Sequence, residues 1–225
     1  MERYDIFQDI AERTGGDIYI GVVGPVRTGK STFIKRFMEM LVIPNISNVY
    51  DRERAQDELP QSGSGRTIMT TEPKFVPSEA VEVMMADNIN FRVRLVDCVG
   101  YAVGGAVGYE DVNRPRMVLT PWRAEPVSFV EAAEMGTAKV ITDHSTVGLV
   151  ITTDGSITEI SRADYLPAEE RVINELKALG KPFVVILNST HPEERETQEL
   201  AAELQNKYQT PVLPVNCLQM SPANI

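Results

Sequence analysis

The residues best placed to do chemistry are Gly24-Pro25-Val26-Arg27-Thr28-Gly29-Lys30-Ser31, a G-x-x-x-x-G-K-[ST] run. It follows the apolar stretch Ile18 to Val23 and leads into a helix-spaced segment from Thr32 to Leu41. Strand, glycine-rich loop and helix, in that order, suit a nucleoside triphosphate. The strand stops abruptly, the glycines let backbone N–H groups wrap a polyphosphate, and the helix turns its positive end to the anion. Gly24, Pro25, Val26, Arg27, Thr28, Gly29, Lys30, Ser31 and Thr32 are the expected phosphate cradle. Within it Lys30 reaches the β- and γ-phosphates and the Ser31 hydroxyl ligates Mg²⁺.

A second group is Asp97-Cys98-Val99-Gly100, at the end of the strand-like run Phe91 to Val96. A carboxylate at the C-terminal end of a parallel strand lies in the crevice where α/β sheets bind ligands. Asp97 is expected to hold Mg²⁺ through water, and the Gly100 N–H to sense the γ-phosphate. The third part required is a hydroxyl that completes the Mg²⁺ shell when the γ-phosphate is present. Thr67-Ile68-Met69-Thr70-Thr71-Glu72-Pro73 offers Thr70 or Thr71, which stand as alternatives; threonines there also serve simply as local backbone partners.

The elements that must position these groups alternate. Residues 5–13 read as a short leading helix closed by Thr14-Gly15-Gly16, so 1–16 precede the first strand. Residues 43–71 are Pro-, Asn-, Ser- and Gly-rich, and a loop of that length is usually functional. Strand signals at 80–85 and 89–96 flank a turn at Ala86-Asp87-Asn88. A second long loop covers 101–128, followed by a helical patch at 129–135 and a buried-strand signal at 146–153. Residues 166–180 read as a helix with Pro167 at its start and Gly180 past its end. A strand at 183–187, a charged helix at 193–208 and a strand at 211–217 complete the pattern. Strands alternating with helices predict an α/β fold, a mostly parallel sheet with helices on both faces, as one domain over 1–225.

With 225 residues, 43% hydrophobic and 24% charged, the chain can bury a full core. No run of about 18 apolar residues occurs, so neither a transmembrane segment nor secretion is expected. A net charge of −10 opposes non-specific binding to nucleic acid. Cys98 and Cys217, in no paired spacing, are expected to be reduced and buried.

Taken together, these segments resemble the five signature motifs of the translation-factor-like P-loop GTPases, from Gly24 to Cys217, and the resemblance implies a GTPase-like G domain. Two departures stand out. That family reads guanine with Asn-Lys-x-Asp after the fifth strand, whereas this chain has Asn188-Ser189-Thr190-His191. Asn188 is kept, Ser189 replaces the lysine that stacks on the base, and His191 stands in place of the carboxylate, so adenine is no longer disfavoured. Tyr101 occupies the position where many relatives carry a water-orienting Gln, which implies slow turnover unless another group substitutes. Arg66, Arg114, Arg116 and Arg123, in the two long loops, are candidates to act within the chain or across a subunit contact.

The phosphate loop, the Gln61-to-Pro73 segment, Leu95-to-Tyr101 and Leu187-to-His191 together are most similar to the spore-coat morphogenetic ATPases of endospore-forming bacteria. That resemblance spans the whole chain and implies the N-terminal nucleotide domain of a longer protein, of which this chain is a fragment. It implies ATP and Mg²⁺ as cofactors, with Asn188, Ser189, His191 and Cys217 on the base side. It also implies ATP hydrolysis coupled to self-association into the basement layer of the spore coat. The implied location is the mother-cell cytoplasm, at the outer forespore membrane surface. Implied partners are a small amphipathic membrane peptide and other spore-coat proteins, with no nucleic acid and membrane association only through a partner or a missing C-terminal region. The alternatives are a GTPase switch and a nucleotide-binding structural module with negligible turnover.

Overall fold

A computed structural model describes residues 17–60, 72–84, 90–111 and 114–221. The leading helix at 5–13, the turn at 86–88, Arg66, Thr70 and Thr71 lie outside the described residues. The order is β1 (Asp17–Val23), α1 (Lys30–Phe37), α2 (Val49–Asp57), β2 (Lys74–Met84), β3 (Asn90–Asp97), β4 (Glu110–Asp111), β5 (Arg114–Pro115), β6 (Met117–Thr120), β7 (Arg123–Ser128), α3 (Phe129–Thr142), β8 (Val147–Thr153), α4 (Arg162–Ala178), β9 (Phe183–Asn188), α5 (Arg195–Tyr208) and β10 (Val212–Val215).

Six strands form one sheet in the order β10-β9-β8-β1-β3-β2, all parallel except β2, which runs antiparallel to β3. This is the α/β architecture expected from the alternation. β1 pairs with β3 on one side and β8 on the other, with Val22 opposite Asp97 and Val23 opposite Val150, so the chain reverses direction across the sheet at β1. Ligands of open α/β sheets bind at such a point, beyond the carboxyl ends of the strands. Helices cover both faces. Phe33 and Ile34 of α1 pack with Val22, Leu95 and Ile151 on one face. On the other, Phe129 and Ile141 of α3, Val172 and Leu176 of α4 and Leu204 of α5 enclose Val23, Val96, Val150 and Leu187. Cys98 and Cys217 are free, buried and on opposite faces, and burial pushes their thiols up to about 11 and about 12.

Several bounds differ from the sequence pattern, each for a local reason. The helix expected to run through Leu41 is α-helical only to Phe37; a π-turn at Met38–Val42 and a 3-10 turn at Ile43–Asn45 carry it on. The loop expected over 43–71 contains α2, whose start is capped by Asn48 Oδ1 accepting from the N–H of Tyr50 (2.9 Å) and Asp51 (3.3 Å). β2 begins at Lys74 rather than Ala80: Pro77 interrupts the alternation, yet β2 is an edge strand whose register shifts between Val76 and Val81, where a proline is tolerated. The loop expected over 101–128 holds two small antiparallel pairs, β4–β5 and β6–β7. α3 runs past the expected stop at Met135 to Thr142 because Gly136, Thr137, Val140 and Ile141 are buried. α4 starts one turn earlier than Leu166, so Pro167 sits in its second turn and cannot bond the Ala163 carbonyl.

Candidate functional site

The tips of β1, β3, β9 and β10 converge on the loop between β1 and α1. Gly29 N-caps α1 at φ 92, where a Cβ would lie 2.4 Å from Asn188 Nδ2. That close approach is useful: Asn188 Nδ2 donates to the Thr28 carbonyl (3.0 Å) while its Oδ1 accepts from the Cys217 N–H (3.0 Å). Asn188 thus ties the phosphate loop to the β10 end through its amide, and Cys217 takes part through its backbone with its thiol in the core. Thr28 Oγ1 donates to the Pro25 carbonyl (3.0 Å), tightening the loop from inside.

Lys30 and Ser31 open α1 inside this frame. Lys30 Nζ donates to the Pro25 carbonyl (2.5 Å), and burial lowers the pKa of its ammonium. Ser31 Oγ donates to Asp97 Oδ2 (2.6 Å). Burial raises the Asp97 carboxyl, against the opposing pull of the Ser31 bond and the Lys30 charge. Asp97 Oδ1 is buried with no hydrogen-bond partner among the described residues. A hydroxyl and a carboxylate in contact, with one carboxylate oxygen orphaned beside a buried lysine, make an oxygen donor set that fits Mg²⁺, which keeps several waters. Gly100 has φ 98, and a Cβ there would lie 2.3 Å from the Gly24 carbonyl and 2.6 Å from Lys30 Nζ. Only a glycine lets the backbone after β3 lie against the phosphate loop.

Three further features carry little sequence signal. Gly100 N–H donates to Thr137 Oγ1 of α3 (3.2 Å), a fully buried hydroxyl that itself donates to Ala133 O (2.8 Å). Tyr101 is bound at both backbone atoms, its N–H to Gly24 O (3.2 Å) and its carbonyl to Val26 N–H (2.9 Å). Its phenol is buried, donates to the Glu175 carboxylate and lies under the Arg171 guanidinium, 4.0 Å from the ring centroid. Tyr101 packs into the core, and burial pushes its phenol far above its ordinary range. Arg27 is the third: its φ of 65 is left-handed, in the middle of the loop, at a cost of roughly 1–3 kcal/mol for a residue with a Cβ.

On the side expected to face the base, Ser189 is fully buried and turned into its own loop, its hydroxyl accepting from the His191 N–H (2.9 Å). Asp154, just past β8, braces the same loop. Burial alone would raise its carboxyl, but the hydroxyls of Ser156 and Ser189 and the Ser156 N–H hold it below its ordinary value. Ser156 Oγ in turn accepts from the Thr190 N–H (2.9 Å). A strand end followed by Asp154-Gly155-Ser156 is a turn signature, the one sequence cue to this brace. The His191 ring is 62% exposed and lies 3.6 Å from Glu194 Oε1. It lines a cavity of about 270 Å³ with Asp154, Ser156, Glu194 and Thr197, none of them from the phosphate loop. The structure therefore gathers residues 24–31, Asp97, Gly100, Asn188 and the Cys217 backbone, and leaves the His191 side chain facing outward.

Of the loop arginines, Arg123 pairs with Glu131 (3.7 Å), Arg116 lies over the Phe129 ring and Arg114 is exposed on β5.

The chain matches the family model described as stage IV sporulation protein A, ATPase domain, over residues 1–225. It is 62% identical over its whole length to stage IV sporulation protein A of Bacillus subtilis strain 168, covering 46% of that protein. The same-named proteins of Bacillus anthracis and Clostridioides difficile strain 630 are 63% and 58% identical over 96% and 98% of the chain, covering 44% and 45% of their lengths. The chain thus spans just under half the length of these relatives. Among solved structures, an Aquifex aeolicus Era variant bound to GDP and tetrafluoroaluminate superposes with a TM-score of 0.51 at 15% identity. Era in complex with MgGDPNP and a segment of 16S ribosomal RNA gives 0.51 at 14% identity. Each alignment covers 93% of this chain and 54% of the other, and each is a likeness of fold.

Proposed function

The chain belongs to the stage IV sporulation protein A ATPase-domain family, and from that premise we propose that residues 1–225 form one nucleotide domain that hydrolyses ATP with Mg²⁺. The observation that carries hydrolysis is the Ser31–Asp97 contact with its orphaned Asp97 oxygen beside Lys30. Mg²⁺, when bound, neutralises charge on the β- and γ-phosphates. Around it, Lys30 leaves the Pro25 carbonyl for the phosphate oxygens, and the loop N–H groups and the α1 N-terminus hold the remainder. Gly100 N–H reads the γ-phosphate by exchanging its Thr137 partner for a phosphate oxygen, so the segment after β3 changes contacts with nucleotide state. Thr70 or Thr71 supplies the last hydroxyl. Asp97→Asn keeps an acceptor for Ser31 and removes the charge. That variant, or Thr70→Ala with Thr71→Ala, should slow phosphate release on the order of 100-fold while metal-free nucleotide affinity changes little, the pattern of a contact used in the transition state. Equal losses in release and binding by calorimetry would contradict these roles.

Adenine is the proposed base because Ser189 is committed to its loop and His191 replaces the guanine-reading carboxylate. The geometry also dictates how to reverse the preference. His191→Asp alone would set two carboxylates together at Glu194, so it is paired with Glu194→Gln. The double variant should shift preference toward GTP by about 1–3 kcal/mol, one charged hydrogen bond. An unchanged ATP-to-GTP affinity ratio would mean that position 191 does not face the base.

By family, hydrolysis is proposed to drive self-association into the basement layer of the spore coat. The proposed setting is the mother-cell side of the outer forespore membrane, with an amphipathic membrane peptide and other coat proteins as partners. No helix among the described residues is long and apolar enough to cross a membrane, which suits peripheral attachment through a partner.

A further inference from the structure

The position after Gly100 offers no side chain to the reacting phosphate, since the Tyr101 phenol is sealed between Glu175 and Arg171. Turnover therefore needs another group, and the phosphate loop contains one. Arg27 holds a left-handed backbone, φ 65, where glycine would be unstrained. Strain of this kind persists where the surrounding structure fixes it, and it clusters at functional sites. The Arg27 side chain is partly exposed. Among the described residues its guanidinium has no hydrogen bond or ion pair, in a chain with 32 acidic residues against 22 basic ones. By contrast, Arg162 is bound by Glu169, Arg171 by Glu134 and Glu175, and Arg123 by Glu131.

We propose that Arg27 is a catalytic residue, an arginine finger supplied in cis by the phosphate loop itself. The proposal rests on the hydrolase reading above. In the reaction, a water oxygen bonds to the γ-phosphorus as the bond from that phosphorus to the β–γ bridging oxygen breaks. The electron pair leaves with ADP, one water proton stays on the released phosphate and the other passes to solvent. Negative charge spreads over the bridging and equatorial oxygens, and the planar guanidinium fork of Arg27 meets two of them where the Lys30 ammonium meets one.

The test uses the complete chain with Arg27→Gly and Arg27→Lys. Arg27→Gly relieves the backbone, so it should melt at the same or a higher temperature than the parent while kcat falls about 10³-fold. Affinity for ADP and for a non-hydrolysable ATP analogue should stay within about threefold, whereas affinity for ADP with tetrafluoroaluminate should fall with kcat. Arg27→Lys should remain at least about tenfold slow, because a point charge lacks the fork. Millimolar guanidinium should restore part of the Arg27→Gly rate. Mixing Arg27→Gly with Lys30→Ala should restore nothing, since a finger in cis cannot be lent. Full turnover in Arg27→Gly, a loss of analogue affinity as large as the loss of rate, or recovery on mixing would each overturn the proposal alone. Absence of phosphate release from the unsubstituted chain would overturn the hydrolase reading and the proposal with it.

Discussion

Lys30→Ala should abolish most triphosphate affinity while leaving the fold in place. Lys30 Nζ is buried at the start of α1 and satisfied by the Pro25 carbonyl within the loop, so among the described residues the apo domain loses one hydrogen bond and no ion pair to a carboxylate. With nucleotide bound, the same ammonium is the charge nearest the β- and γ-phosphates. Losing a desolvated charge-to-charge contact costs about 3 kcal/mol or more, so affinity should drop on the order of 100-fold. Removing the ammonium also ends the burial cost that depresses its pKa, and the variant should melt within a few degrees of the parent. Unchanged affinity by calorimetry would show that residues 24–31 do not form the site.

A stability effect of similar size is expected far from the phosphates, at Glu169. This carboxylate is fully buried in α4, yet every side of it is occupied. Arg162 grips it with both terminal nitrogens (2.6 and 2.8 Å), Tyr208 of α5 donates to Oε1 (2.6 Å) and Thr152 of β8 donates to Oε2. The network joins two helices to the strand whose next residues, through Asp154, brace the base-side loop. Glu169→Ala strands two buried hydroxyls and a largely buried guanidinium, a loss of about 3–5 kcal/mol. In a domain of this size that is a fall in melting temperature of roughly 10 °C or more. Glu169→Gln retains acceptor geometry without the charge and should lie between. A melting temperature for Glu169→Ala within two degrees of the parent would mean that the network is not holding the three elements together.

The parts of the fold legible in sequence were those with strong local chemistry. The run 17–31 announces strand, loop and helix by its apolar stretch and glycine spacing, and the sheet follows from the alternation after it. The missed pieces lacked such signals. α2 buries only Ala55, so it shows no apolar stripe, and only the Asn48 cap betrays it. The extension of α3 runs through Gly136, a weak helix former retained because its face packs into the core. The β4–β5 and β6–β7 pairs are too short for periodicity to register. At the site, Lys30, Ser31, Asp97 and Gly100 are legible because their chemistry demands a fixed spacing. Thr137 and the Glu175–Arg171 clamp on Tyr101 are not, because they come from helices 37 to 74 residues away and only packing brings them in. Ser189 reads as an altered base contact in sequence, whereas its burial shows a loop-bracing role that no spacing rule carries.

Hydrolysis of ATP at the phosphate loop is decided by phosphate release from ATP and GTP side by side, with Mg²⁺, in the unsubstituted chain and in Lys30→Ala. Release from ATP, no advantage for GTP, and loss of both activities in Lys30→Ala are expected. Tighter binding and faster release with GTP, or release that survives Lys30→Ala, would contradict this expectation.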